Sequence, residues 1–235
     1  MRNDFFIFGD VDSRKYQIGI YGNQLFDPPE REYEEVVIPG RNGSLYIDKK
    51  RYKNKVIPYD AYIVKGFEIN VDAFRNDLLS QIGYQRLEDT VRPEEFRLAK
   101  ALPFEVDMKG VLKAGTFTIK FDAKPQRFLK SGEYPVEYTA NGIIYNPTRF
   151  ASKPFLRVYG SNSGTVGIGS QTITISSIST YVDIDCDVMN AFKGATNCNG
   201  NVSFTGDIEL PSGRSGIAFT GGITKVIITP RWFRI

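Results

Sequence analysis

Apolar and polar positions alternate with a period of two over much of the chain, and one stretch departs from this toward helical spacing. In Gly115-Thr116-Phe117-Thr118-Ile119-Lys120-Phe121, the residues Phe117, Ile119 and Phe121 fall on one face and Thr116, Thr118 and Lys120 on the other, as a half-buried strand requires. Phe5–Phe8 and Gln17–Tyr21 are shorter strand candidates. Phe74, Leu78 and Ile82 recur at i, i+4 and i+8 and predict one helix, with Asp72 as its cap and Gly83 as its C′ stop.

After residue 150 the pattern is strand and turn alone. Phe155–Tyr159, Thr165–Ile168, Gln171–Ile175, Tyr181–Val188, Gly216–Phe219 and Lys225–Thr229 are short β runs. Gly160-Ser161-Asn162-Ser163-Gly164, Gly169-Ser170 and Pro211-Ser212-Gly213 punctuate them as turns. Val182, Ile184 and Val188 in one run, and Val226 and Ile228 in the last, supply an apolar face. Regular short strands with Gly/Ser turns indicate a sandwich or jelly roll.

Charge then divides the chain. Residues 1–130 hold 22 Lys/Arg and 20 Asp/Glu, whereas residues 131–235 hold 8 and 7 and are rich in Gly, Ser, Thr and Asn. The shift predicts a first domain over 1–135, a linker over 136–145 and a β-sandwich domain over 146–235. The net charge of +3 is too small to argue for nucleic-acid specificity. A hydrophobic fraction of 41% is ample for packed cores.

The absence of His removes His-based acid–base relays, Ser-His-Asp and Cys-His nucleophile systems and His-ligated zinc. Cys186 and Cys198 are two thiols, expected to be buried and reduced. Asp183, Asp185 and Asp187 share one face of a strand, but a linear row does not converge on a cation, so a solvated face beside a buried Cys186 is expected. Glu34-Glu35 and Glu94-Glu95 are neighbours in sequence and point apart, unlike a glycosidase pair. No nucleophile elbow, P-loop or dinucleotide fingerprint is present. These observations argue for no enzyme, no cofactor and no metal. The N-terminus carries an early Asp4 without a sustained apolar segment, and no apolar run approaches a membrane span, so a soluble, cytosolically made protein without membrane insertion is expected.

The segment from Val36 to Lys65 has its own character. Ile38-Pro39-Gly40-Arg41-Asn42-Gly43 ends in an Asn-Gly turn signal. Lys49, Lys50, Arg51, Lys53 and Lys55 follow, interleaved with Tyr46, Tyr52, Tyr59 and Tyr62. Three readings are open: a nucleic-acid contact, a solvated hairpin, or an arm that grips another subunit. For the third, the candidate contact residues are Arg41, Tyr46, Lys50, Arg51, Tyr52 and Tyr59.

Several strings together resemble the distal tail proteins of siphophages that infect Gram-positive bacteria. Ile38-Pro39-Gly40-Arg41-Asn42-Gly43 with Asn54-Lys55-Val56-Ile57-Pro58-Tyr59 is similar to that family's early hairpin region. Leu78-Leu79 through Tyr84-Gln85-Arg86-Leu87-Glu88-Asp89-Thr90 and Arg92-Pro93-Glu94-Glu95-Phe96-Arg97 resembles its most recognisable stretch. The run from Gly115 through Asp122-Ala123-Lys124-Pro125-Gln126-Arg127, then Asn146-Pro147-Thr148, Ser152-Lys153-Pro154, Ile184-Asp185-Cys186 and Ile228-Thr229-Pro230-Arg231-Trp232, continue the likeness in order.

The resemblance implies a mainly β fold. Its first domain is an α+β β-sandwich or split barrel with one helix and an extended hairpin arm over about 36–65. Its second is a galectin-like, jelly-roll β-sandwich. It further implies a structural protein of the virion tail tip, made and assembled in the host bacterial cytoplasm. Copies would form a hexameric ring, or two stacked rings of twelve chains in all. The ring would join the tail tube protein to the tail-tip (tail-associated) protein and a receptor-binding protein. The family has no catalytic residues to carry over. The alternative from the residues is a carbohydrate-binding β-sandwich module using Tyr159, Tyr181, Trp232 and Phe233.

Overall fold

The structure is a computed structural model that describes residues 4–21, 28–63, 66–107 and 115–235. It divides into two compact units, residues 1–127 with Ile235 and residues 128–234. Both are mainly β.

The first unit is one antiparallel sheet, a separate two-stranded ribbon and one α-helix. Its strands are β1 (Phe6–Phe8), β2 (Val11–Asp12), β3 (Ile18–Ile20), β4 (Arg31–Val37), β5 (Ser44–Tyr52), β6 (Lys55–Ile63), β7 (Gln85–Asp89), β8 (Glu95–Ala101), β9 (Val106–Asp107) and β10 (Gly115–Ala123), with α1 (Phe67–Ser80) between β6 and β7. The sheet runs β2-β1-β7-β8-β10-β6-β3, while β4 and β5 pair only with each other. As the alternation predicts, Phe117, Ile119 and Phe121 of β10 are buried. Phe121 meets Phe6, Phe8 and Tyr59 at ring centroid distances of 5.5, 4.9 and 5.7 Å.

The helix starts earlier than its predicted cap. Phe67, Val71, Phe74 and Leu78 form the buried stripe, Gly66 occupies the cap position with φ 65°, and Asp72 is a mid-helix residue beside Arg75 at 3.6 Å. Spacings of four, three and four keep these residues on one face. Ile82 lies beyond the helix and is 89% exposed, so it is no part of the stripe. The chain leaves the helix through extended Gln81, and Gly83 adopts its positive φ two residues later. Gly115 lacks the Cβ that would collide with the Phe67 ring, which lets the helix lie on β10.

The second unit contains β12 (Val136–Tyr138), β13 (Gly142–Asn146), β14 (Phe155–Ile168), β15 (Gln171–Asp185), β16 (Asn190–Lys193), β17 (Thr196–Asn197), β18 (Val202–Phe204) and β19 (Gly213–Thr229). A short β11 (Arg127–Leu129) precedes them and pairs with the terminal β20 (Phe233–Arg234). The sheet order is β12-β19-β14-β15-β16-β17, with β13 also on β19 and β18 also on β15. Residues 136–145, expected as a linker, carry two strands of this sheet. Asp187 and Val188, expected in the strand with Val182, lie past its end, and Val188 is 67% exposed.

Six predicted short runs are three long strands. The predicted turn Gly160–Gly164 is a bend inside β14, where its register with β15 shifts between Asn162 and Gly164 and its register with β19 shifts between Tyr159 and Gly164. β14, β15 and β19 each pass through such a corner, so one continuous sheet folds onto itself. The inner faces, Leu156, Val158, Val166 and Ile168 from β14 with Ile173, Ile175, Val182, Ile184, Ile217, Val226 and Ile228, then bury one another. Trp232 joins this core. Bulges and glycine make such bends. A Cβ on Gly222 would overlap the carbonyl oxygen of Ser161, and one on Gly160 would overlap that of Gly222.

Two outcomes test this architecture. Gly222→Ala should destabilise the second unit by about 3 kcal/mol, because backbone at the corner must separate. Gly216→Ala, at a strand glycine with open space around it, should change stability by less than about 1 kcal/mol. Trp232 is the sole tryptophan, so denaturant unfolding followed by its fluorescence reads this unit directly. Separately, residues 128–234 expressed alone should melt cooperatively with dispersed amide resonances, whereas a molten fragment would contradict a self-sufficient second unit.

Candidate assembly surface

β4 and β5 form a two-stranded ribbon that stands away from the sheet. It covers Arg31–Tyr52, starting five residues before the expected Val36 and ending before β6 enters the core sheet. Residues 64 and 65, the end of the expected arm, lie outside the described residues. At the base, Lys53 N–H donates to the carbonyl of Glu30 at 2.8 Å, so the ribbon leaves and returns at one point.

An acidic strand facing a basic one sets its register. Arg31 pairs with Asp48, Lys49 with Glu34, Arg51 with Glu32 and Lys53 with Glu30, at 2.5, 2.5, 2.7 and 3.1 Å. The Arg31 guanidinium, helped by the Lys50 backbone N–H, holds the Asp48 carboxyl below its usual range. Lys49 does the same for Glu34. Exposed pairs of this kind contribute about 0–1 kcal/mol each, so they select a register more than they stabilise it. The register shifts between Glu32 and Tyr33, where β5 carries two extra residues, Lys49 and Lys50, the latter with φ 58°.

The tip half of the ribbon carries exposed apolar side chains on both faces, beside Glu34 and Glu35. Tyr33, Val37 and Tyr46 lie on one face and Val36, Leu45 and Ile47 on the other, following the cross-strand pairs Glu35↔Tyr46 and Val36↔Leu45. All six are exposed, Val37 at 78%. Tyr33 and Tyr46 stack on each other at 4.6 Å. A hairpin two strands wide has no layer to bury these groups, and exposed apolar patches of this kind mark interaction sites.

Of the six residues singled out from sequence, five lie on the ribbon. Arg41 is in the tip turn, where its N–H donates to the Ile38 carbonyl at 3.2 Å. Tyr46 is in the apolar patch, Lys50 in the bulge and Arg51 paired with Glu32. Tyr52 closes β5, its hydroxyl accepting from Arg31 at 3.1 Å. Tyr59 does not belong with them. It is 2% exposed in the first core and its hydroxyl donates to Asp89 at 2.7 Å. Burial, then the Asp89 charge, push its pKa well above the ordinary phenol value. Its place in a basic, Tyr-rich run hid that β6 alternates inward at Ile57, Tyr59, Ala61 and Ile63. Missed altogether were Tyr33, Leu45 and Ile47. Their signal was present: alternating apolar residues on a strand whose partner offers no second layer.

The aromatic residues considered for sugar binding are engaged elsewhere. Trp232 is buried, and Phe233 stacks on Phe150 at 5.7 Å. Tyr159 and Tyr181 neighbour each other at 6.0 Å, but Lys225 covers Tyr159 at 4.6 Å, and Arg157 and Lys193 cover Tyr181 at 4.8 and 5.4 Å. Ring faces capped by cations offer no flat platform for a sugar. Separately, an open groove of about 660 Å³ in the first unit is bordered by Tyr21, Asp60, Phe104, Thr118 and Lys120.

The aspartate row is not a solvated face. Asp183 is 3% exposed and takes a two-pronged hydrogen bond from Arg157 at 2.6 and 2.8 Å. Asp185 is held likewise by Arg231 at 2.7 and 2.9 Å. Burial would raise the Asp185 carboxyl, but Arg231 and the Asp187 N–H outweigh it and keep it low. Cys186 is fully buried and Cys198 half-buried, both as free thiols.

Burial, reinforced by the Asp185 charge, pushes the Cys186 thiol up to about 12 from 9.0. The folded pKa is raised, so the stabilisation is present below pH 9 and is lost as pH rises toward 12. The second unit should therefore lose up to about 1.4 kcal/mol per pH unit in that window from this group. Trp232-monitored unfolding at successive pH values should show a shallower loss for Cys186→Ala.

No protein-family model matches the sequence, and no curated protein does. Solved structures do. The SPP1 Dit protein, presented as a paradigm of the hub adsorption apparatus in phages infecting Gram-positive bacteria, aligns over 99% of both chains with a TM-score of 0.73 and 13% identity. A chain of the phage P2 baseplate, in its activated conformation with Ca, aligns over 97% of this chain and 98% of its own with a TM-score of 0.51 and 12% identity. At such identities the likeness is one of fold, and from end to end this chain has the fold of the SPP1 Dit protein.

Proposed function

We propose that this chain is a structural subunit of a phage tail-tip hub, in which the ribbon of one copy grips the next around a closed ring. The observation that carries this is the ribbon itself, with apolar side chains exposed on both faces at its tip and uncovered among the described residues. The end-to-end likeness to a phage hub protein supports the setting. A ribbon on one copy that meets a different surface on its neighbour makes a heterologous contact, and such contacts close by rotation into rings. Six copies form the ring, or twelve in two stacked rings. Its faces join the tail tube protein to the tail-tip protein and the receptor-binding apparatus.

Light scattering of the purified chain should give a mass near six chains, or twelve for stacked rings. Excising residues 31–52 and joining Glu30 to Lys53 with a short linker should abolish the ring. Both thermal transitions should survive, because the excised segment adds nothing to either core. A ring that persists without the ribbon, or a wild-type chain monomeric at every concentration, would overturn the proposal.

A further inference from the structure

The sequence holds three Asn-Gly pairs, Asn42-Gly43, Asn141-Gly142 and Asn199-Gly200. Such a pair can react with itself, because the glycine has no side chain to keep its backbone nitrogen away from the Asn side-chain carbon. All three Asn are exposed, so exposure does not separate them. Their hydrogen bonds do. Asn141 Oδ1 accepts the Phe219 N–H at 3.2 Å, and Gly142 is fixed in β13 opposite Ile217. Asn199 Oδ1 accepts the Ala191 N–H at 2.5 Å, and its Nδ2 donates to Asn190 Oδ1 at 3.0 Å.

Asn42-Gly43 has none of these restraints. It lies in the ribbon's tip turn, between the end of β4 and the start of β5. Among the described residues the Asn42 side chain makes no hydrogen bond, and the Gly43 N–H donates to no acceptor. Gly40 and Gly43 hold φ of 78° and 81°, and a Cβ at either would meet nothing within 4 Å. With nothing packed on it, the turn can swing until nitrogen meets carbon. The Gly43 nitrogen then attacks Asn42 Cγ. The new N–Cγ bond closes a five-membered imide, the Cγ–Nδ2 bond breaks, and the Gly43 proton leaves with Nδ2 as ammonia. Water opens the imide at one of its two carbonyls. Cleavage of the N–Cγ bond gives Asp. Cleavage at the main-chain carbonyl gives isoaspartate, in which the chain runs through the side-chain carbon. Either product puts a carboxylate where a neutral amide stood.

We propose that Asn42-Gly43 is a self-modification site at the ribbon tip, which limits the time over which a free chain can join an assembly. The reaction needs no enzyme and no reactant beyond water. Its second half, the loss of assembly, rests on the ring-forming role given to the ribbon. The Ser44 hydroxyl already donates to Glu35 at 2.5 Å, so a new carboxylate two residues from Ser44 adds like charge beside the apolar tip that assembly must bury. Isoaspartate also lengthens the backbone next to the Val37↔Ser44 pair that begins the ribbon's ladder.

The full-length chain is aged at mildly alkaline pH, folded and in guanidinium chloride, then cut with pepsin in acid and read by mass spectrometry for the exchange of NH for O. In denaturant the three pairs should convert at similar rates. In the folded chain Asn42 should keep its unfolded rate, while Asn141 and Asn199 slow by about tenfold or more because their hydrogen bonds must open first. Folding that protects Asn42 as much as the other two, or leaves either of them as fast as Asn42, would overturn the site. Light scattering reads the assembly half separately. A fresh chain that forms no ring would overturn that half together with the ring-forming role, and leave the conversion rates standing. Where fresh chain does form rings, chain aged dilute and unassembled, then concentrated, should leave converted Asn42 enriched in the free fraction. Asn42→Gln cannot close the five-membered imide and should assemble fully after the same ageing. Equal conversion in ring and free fractions, or equal loss of assembly in the Gln variant, would overturn the limit on assembly.

Discussion

Every side chain on a two-stranded ribbon faces either solvent or another molecule, because a lone hairpin has no second layer against which to bury anything. β4 and β5 obey this geometry without relief. Their ion pairs and the Tyr33–Tyr46 stack fix which residues oppose which. They do not supply the apolar burial that makes a hairpin stable on its own. The patch of Tyr33, Val36, Val37, Leu45, Tyr46 and Ile47 is therefore left exposed, and the proposed assembly rests on that deficit.

The second unit answers the same problem in the opposite way. Its apolar residues also lie on strands, but the strands are long enough to bend and let one sheet cover itself. The bend requires backbone to approach backbone, and Gly160, Gly164, Gly221 and Gly222 make the approach possible. Once the corners form, the inner faces of β14, β15 and β19 become a core without help from a helix. The outer face is held by paired charge, Arg157 with Asp183 across β14 and β15 and Arg231, beyond the end of β19, with Asp185. Burying Asp183 without Arg157 would cost several kcal/mol, so the pair behaves as one group.

The two units place their exposed apolar groups differently. In the first they project on the ribbon. In the second, Ile143 and Tyr145 sit on an edge strand already locked to β19.

The local pattern alone determined the strand character of β10 and the existence of one helix, because periods of two and of 3.6 are set by backbone geometry before any tertiary contact. It determined that the Val36–Lys65 region is unlike the rest, through its turn signal and its interleaved Tyr and Lys. It could not place Tyr59, since an inward and an outward tyrosine look alike until the sheet shows which face is covered. It set the helix cap six residues too late, at Asp72 and not Gly66, because the stripe from Phe67 to Leu78 is chosen by what lies beneath it on β10. It divided three bent strands into six, because Gly and Ser serve a turn and a corner equally well. Only the fold, by bringing Ser161 against Gly222, decides between them. The pairings of Asp183 and Asp185 were equally invisible, since Arg157 and Arg231 reach them only after distant strands align.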